Sequence, residues 1–170
     1  MQIRILDTAK CAYYNGHGLD TKEHLMPRLY TLGYEGLSLD QFIAKLKGNN
    51  VEAVVDVREL PLSRKRGFSK TRLAEALYDA GIGYQSIRAL GSPRELRRQL
   101  RQTRDWGTFS IQFEQHLNSQ SDVLGELVEC AYRKPTRLMC FEYDSSLCHR
   151  SIVAKRAVSL ANNGITVKHL

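Results

Sequence analysis

The sequence has no apolar run approaching the roughly 20 residues that cross a bilayer, and its N-terminus lacks the basic-then-apolar pattern of a secretory signal. A cytosolic location is therefore expected, with no membrane partner. Internal repeats are also missing, which excludes a solenoid or propeller. Cysteine is scarce: four residues, at positions 11, 130, 140 and 148, spread too widely to staple a small disulfide scaffold. In a reducing compartment they stay thiols, so any special cysteine is chemical or metal-binding. With 25% charged and 42% hydrophobic residues, neither extreme is reached that marks a disordered or fibrous chain.

What is present is one domain's worth of chain, 170 residues, enough to bury a core without disulfides or a structural metal. The net charge of +7 promotes contact with polyanions in general. Residues 1–28 show no periodicity and are expected to form an N-terminal extension or arm, of which residues 1–25 are expected to be dispensable for folding. From Leu29 the pattern becomes regular. Leu29–Tyr34 reads as a strand; Ser38 then caps a helix with Leu39, Phe42, Ile43 and Leu46 on one face, stopped by Gly48. Val51–Arg58 is a nearly continuous apolar run, as in a parallel strand buried on both faces. A helix capped by Ser69, a strand over 82–87, and helices over 93–102, 109–117 and 123–132 follow; Pro93 suits a first helical turn. Strand 137–141, a long helix over 148–161 and strand 165–169 complete the chain. This alternation predicts a single α/β domain over 29–170: an open, mostly parallel sheet with helices on both faces, Rossmann-like and three-layered.

Tyr30-Thr31-Leu32-Gly33-Tyr34, Val55-Asp56-Val57-Arg58 with Pro61 and Ser63, Gly81-Ile82 with Tyr84, Leu90-Gly91, and then Cys140, Glu142 and Cys148-His149-Arg150 stand in order along the chain. Together they resemble the domain-of-unknown-function family numbered 488, over roughly residues 29–155. The resemblance implies a compact α/β fold with a shared polar site and brings no reaction with it. Met26-Pro27-Arg28 stands where family members often begin, so the preceding 25 residues read as an addition. A weaker likeness is to rhodaneses and cysteine phosphatases, whose loop of about five residues between Cys and Arg cradles an anion. Nine residues separate Cys140 from Arg150, too many for that cradle, so neither activity is carried over.

Ligands of open parallel sheets bind beyond the carboxyl ends of the strands, where helix N-termini offer unpaired N–H groups. Asp56 and Arg58 end one strand, and Cys140 and Glu142 follow another. Cys148, His149 and Arg150 open the next helix, whose dipole is expected to lower a thiol pKa and favour an anion. His149 and Cys148 are thus candidates for acid–base or nucleophilic catalysis with Glu142 and Asp56, while Arg58, Arg64 and Arg150 are candidate phosphate ligands. No metal is assigned first, because the spacing matches no familiar zinc knuckle. The alternative is a zinc site from Cys140, Glu142, Cys148 and His149, whose donor types suit that ion. The plainer reading pairs Arg58 and Arg150 with Asp56 and Glu142 as an ion network that holds loops.

Arg94, Arg97, Arg98, Arg101 and Arg104 recur at helical spacing and place a guanidinium stripe on one face, either a nucleic-acid interface or simply a solvated surface. No helix-turn-helix, zinc-finger or RNA-recognition pattern accompanies it. Two classes of function follow: an enzyme binding or processing a phosphorylated substrate, a nucleotide or nucleic-acid end, or a non-catalytic nucleic-acid-binding module using the arginine-rich helix. The residues name no cofactor and no oligomeric state.

Overall fold

A computed structural model of the chain describes residues 27–170. Of the expected arm only Pro27 and Arg28 fall within that range; the rest lies outside the described residues, and Arg28 already opens the first strand. The elements are β1 (Arg28–Gly33), α1 (Leu39–Lys47), β2 (Ala53–Asp56), α2 (Lys70–Asp79), β3 (Gly83–Ser86), α3 (Arg94–Thr103), α4 (Trp106–Asn118), α5 (Ser121–Arg133), β4 (Thr136–Cys140), α6 (His149–Leu160) and β5 (Thr166–His169), with a single 3-10 turn at Arg88–Leu90. All strand pairs are parallel and the sheet order is β3-β2-β4-β1-β5, the open α/β sheet that the alternation of patterns predicts.

Side chains alternate across the sheet, as the pleat requires. Tyr30, Leu32, Val54 and Met139 face Phe42 and Leu46 of α1 and Leu73 and Leu77 of α2. Leu29, Val55 and Leu138 face the opposite layer, built from Phe109, Phe113 and Leu117 of α4, Leu124 and Leu127 of α5, and Ile152, Val153 and Ala157 of α6. Burial on both faces explains why β2 reads as continuous apolar sequence.

Several boundaries move for identifiable reasons. β2 is shorter than the run 51–58, although the Val57 N–H still donates to Met139 O (3.2 Å) and carries the ladder one residue further. α4 begins at Trp106 rather than Phe109, because the Asp105 side chain accepts from the Thr108 N–H (3.0 Å) and caps it. Ser69 precedes α2 without capping it. Its hydroxyl instead donates to Ser63 O (3.0 Å) and accepts from the Ser63 N–H (3.2 Å), closing the β2–α2 loop on itself. Pro93 occupies the N-cap of α3, one place earlier than expected. Among the described residues no helix is long and apolar enough to cross a membrane.

Topology marks the end of β4. The chain leaves β1 and β2 for helices on the same face, α1 and α2, whereas it leaves β4, which lies between them, for α6 on the opposite face. Connections that diverge in this way open a crevice at the carboxyl ends, the usual ligand position in open α/β sheets. One such crevice lies at β4, whose last residue is Cys140; β3, which leads to α3 and α4 on the α6 face beside β2, diverges from its neighbour in the same way.

Candidate functional site

Four side chains converge on that strand end. Cys140 closes β4, Glu142 stands two residues on, Cys148 is the N-cap residue of α6 and His149 is its first helical residue. Taking one donor atom from each, all four lie within 4.8 Å of one another. Glu142 Oε2 is 2.7 Å from Cys140 Sγ and 3.2 Å from Cys148 Sγ. His149 Nδ1 is 3.6 Å from Cys140 Sγ and 4.0 Å from Cys148 Sγ. The thiols and the imidazole are buried, and Glu142 is part-buried.

Local structure aims each group. The side chain of Cys148 makes no capping bond, so its sulfur is left to face the carboxylate, while Ser151 Oγ donates to the Cys148 carbonyl (2.8 Å) and secures the first turn. His149 Nε2 lies 2.9 Å from Val57 O. A carbonyl only accepts, so Nε2 carries the proton and Nδ1 presents its lone pair to the two sulfurs. Phe113 meets the imidazole edge-on at 5.5 Å and shuts off its other side.

The electrostatics depart from the expectation that the helix dipole lowers the Cys148 thiol. Burial pushes that thiol well up, with Cys140 adding to the rise, and the neighbouring imidazole only partly offsets it. His149 is held above its ordinary value: burial opposes the imidazolium, but Cys148, the Val57 carbonyl and the Glu142 charge outweigh it. Burial likewise opposes ionisation of Glu142, yet hydrogen bonds, led by that from Cys140, hold its carboxyl below the usual range. A thiol raised by burial is a poor unaided nucleophile.

Arg150 stands behind this cluster. Its Nη1 and Nη2 donate to the carbonyls of Glu142 (2.5 Å) and Tyr143 (2.8 Å), pinning the β4–α6 loop from below. The loop also presses on β1: a Cβ on Gly33 would collide with the backbone carbonyl of Glu142. Gly33→Ala is therefore expected to destabilise the fold by roughly 1–3 kcal/mol and to displace Glu142. Urea unfolding measures the first effect.

The other candidates form a separate network. Arg58 Nε and Nη2 donate to the two oxygens of Asp56 (2.8 and 2.6 Å), and Nη1 donates to Tyr34 Oη and Phe68 O (2.9 Å each). Tyr84 Oη donates to the same carboxylate (2.7 Å). These groups sit on the α1–α2 side, among Tyr34 and Phe68, whereas Cys140 and His149 sit on the α6 side. Arg58 and His149 belong to two adjoining networks, joined through the stretch Asp56-Val57-Arg58. Arg58 spends its donors on Asp56, Tyr34 and Phe68, whereas Arg150 uses Nη1 and Nη2 on the loop carbonyls and keeps a buried Nε with no hydrogen-bond partner among the described residues. Arg64, by contrast, is exposed on the β2–α2 loop, as is Arg66.

Three participants escaped the sequence reading. Val57 acts through its carbonyl, which no side-chain pattern reveals. Glu59 clamps α3, its carboxylate pairing with Arg97 and accepting from the Arg94 N–H (3.4 Å), and only the fold brings those segments together. Arg137 is fully buried over the Phe42 ring (5.6 Å), and its Nε and Nη1 have no hydrogen-bond partner among the described residues; burial, with Arg150 nearby, pushes it down to about 9. A basic residue in the middle of a buried strand was the available signal. A cavity of about 430 Å³ between α6 and β5 is lined by Lys155, Asn162 and His169 and shares no donor with the cluster; the chemistry, not the volume, marks the site.

No curated protein and no solved structure matches the chain. A family does: the model described as "Domain of unknown function DUF488" matches residues 38–157, a span that holds both the Asp56–Arg58 network and the cluster from Cys140 to Arg150, and the chain belongs to that family.

Proposed function

We propose that this protein is a transition-metal protein of the zinc class, its ion held by Cys140, Glu142, Cys148 and His149, and that the centre acts on a phosphorylated ligand, a nucleotide or nucleic-acid end. The observation that carries the metal reading is the mutual geometry of the four donors. Zinc bonds of about 2.0–2.3 Å in a tetrahedron put neighbouring donors about 3.5 Å apart, and the separations of 2.7, 3.2, 3.6 and 4.0 Å bracket that value. The second shell fits as well: a ligating imidazole ordinarily gives its other N–H to a carbonyl or carboxylate, and His149 gives it to Val57 O. Two thiolates and an imidazole favour zinc over the hard cations that oxygen-only sites select. When bound, such an ion polarises a coordinated oxygen and lowers the pKa of a coordinated water.

In this reading Cys148 and His149 are ligands rather than nucleophile and general base, which accords with a buried thiol and an imidazole whose protonated nitrogen is committed to a carbonyl. Arg64 and Arg66 supply the phosphate contacts, since both are exposed on the β2–α2 loop and make no described side-chain bond. The test is direct: the reduced full chain, incubated with zinc and desalted, is expected to retain one ion per chain by elemental mass spectrometry. A chain that retains neither zinc nor cobalt ends the proposal.

The second reading, a nucleic-acid interface on α3, is favoured by the state of the stripe. Arg97 is tied to Glu59 and Arg98 to Glu95, but the side chains of Arg94, Arg101 and Arg104 are exposed with no described partner. Replacing Arg94 and Arg101 by Glu is expected to weaken binding of a single-stranded oligonucleotide at low salt and to reduce the salt slope by about 2, one for each phosphate contact. Fluorescence anisotropy across a salt series measures both. An unchanged slope would identify the stripe as a solvated face.

A further inference from the structure

The four donors are not equivalent, and the difference has a chemical meaning. Three are fixed. Cys140 ends a strand paired on both sides, Cys148 and His149 begin a twelve-residue helix, and all three are buried, at 3%, 1% and 8% relative exposure. The imidazole is further held between Val57 O and the Phe113 ring. Glu142 is different. It lies in the loop 141–147 and is part-buried, and its carboxylate is held by the two sulfurs and its own backbone N–H, with no bond to a residue outside the cluster among the described residues.

Its backbone, in contrast, is anchored, by Arg150 donating to its carbonyl and by the close approach of Gly33. The Glu142 side chain can therefore swing about its own torsions without moving the loop. Solvent reaches the cluster from the Glu142 side, and the residues beside it there, Phe141, Tyr143 and Leu147, are exposed.

We infer that Glu142 is an exchangeable fourth ligand of the centre, and that the position it vacates receives an oxygen donor of the phosphate type; this rests on the metal reading above. The exchange is a simple substitution. The metal–carboxylate bond breaks, the carboxylate leaves with its electron pair, and an anionic oxygen takes its place, with no redox partner and no proton required. Three protein ligands with one replaceable position is the arrangement of catalytic zinc sites, whereas structural sites hold four permanent ones.

An anion is the fitting entrant because it replaces a carboxylate oxygen with one of like charge. Tyr34 meets Phe141 edge-on at 5.4 Å, and Lys65 Nζ, on the β2–α2 loop, donates to Tyr34 O (3.3 Å), so this loop and the one after β4 both bear on Tyr34; the acidic groups on that side are Glu35, which accepts from the Tyr143 N–H (3.0 Å), and Asp144. β2 and β4 are neighbours in the sheet, so their following loops flank one another.

Cobalt-loaded full chain reports on each element separately, through its thiolate charge-transfer absorption and its ligand-field bands. The variants are Glu142→Ala and, as the shape-preserving alternative, Glu142→Gln, each checked for folding by circular dichroism. Both are expected to keep one cobalt per chain with the charge-transfer band intact, and to lose no more than about 10–100-fold in affinity, the range that a supporting contact commands. Inorganic phosphate should change the ligand-field bands of the wild-type protein, and should do so at about tenfold lower concentration in Glu142→Ala, where no carboxylate competes; chloride should not.

If folded Glu142→Ala and Glu142→Gln bind no cobalt, Glu142 is a permanent ligand and the inference fails. It fails equally if phosphate leaves the bands of every variant unchanged. If instead the wild-type chain binds no cobalt, it is the metal reading itself that falls.

Discussion

Saturating zinc is expected to raise the melting temperature of the reduced protein by roughly 10 °C, and Cys148→Ser or His149→Ala is expected to abolish that rise. A ligand at about 1,000 times its Kd stabilises the native state by about 4 kcal/mol, and a chain of this size gains about 2–4 °C per kcal/mol. The two substitutions remove donors that are buried and fixed, so their cost in affinity should exceed the roughly 10–100-fold that an outer-sphere partner commands. The sign with pH is also set. Burial holds the Cys148 thiol well above its ordinary value, so binding must release a proton from it, and apparent affinity grows as pH rises. Thermal melts with and without a chelator measure the effect. A zinc shift that survives in both variants would mean that the ion binds elsewhere, and no shift in the wild-type protein would leave the cluster without its metal.

Asp56→Ala should produce the largest loss of stability, about 3–5 kcal/mol, because it leaves a buried cation with no counter-charge. Asp56 is fully buried and Arg58 is 6% exposed. The carboxylate receives the Arg58 Nε, Nη2 and backbone N–H together with the Tyr84 hydroxyl. Deleting it strands all four donors. The ion pair by itself guarantees little net stability, since desolvation offsets much of the attraction; the loss comes from breaking it one-sidedly. The double substitution Asp56→Ala with Arg58→Met therefore serves as the control and should recover part of the loss. Urea midpoints for the two variants decide the matter. If Asp56→Ala costs under about 1 kcal/mol, as surface pairs do, the network carries no framework role.

The fold was legible in the sequence because its signals are local. The nearly unbroken apolar run around Val54 and Val55 marks a strand covered on both faces, and Phe42 and Leu46 fall on one side of α1 as helical spacing requires. Capping was read less well. Ser38 caps α1 as expected, in a reciprocal pair with Gln41, but Ser69 spends its hydroxyl on Ser63, a choice made by the course of the loop and invisible in the order of residues.

The donor types of the candidate centre, two thiols, a carboxylate and an imidazole within ten residues, were likewise determined by the sequence alone. Their spacing resembles no knuckle because the geometry is not made by a short loop. It is made by a strand end and a helix start brought together across the β4–α6 connection, with the proton of His149 placed by a carbonyl 92 residues away in sequence. Tertiary structure also decided which arginines have donors to spare. A guanidinium binds whatever acceptors surround it. For Arg58 and for the Nη groups of Arg150 those acceptors are the protein's own carboxylate and carbonyls, while Arg64 and Arg66 stand on an exposed loop with no described side-chain partner.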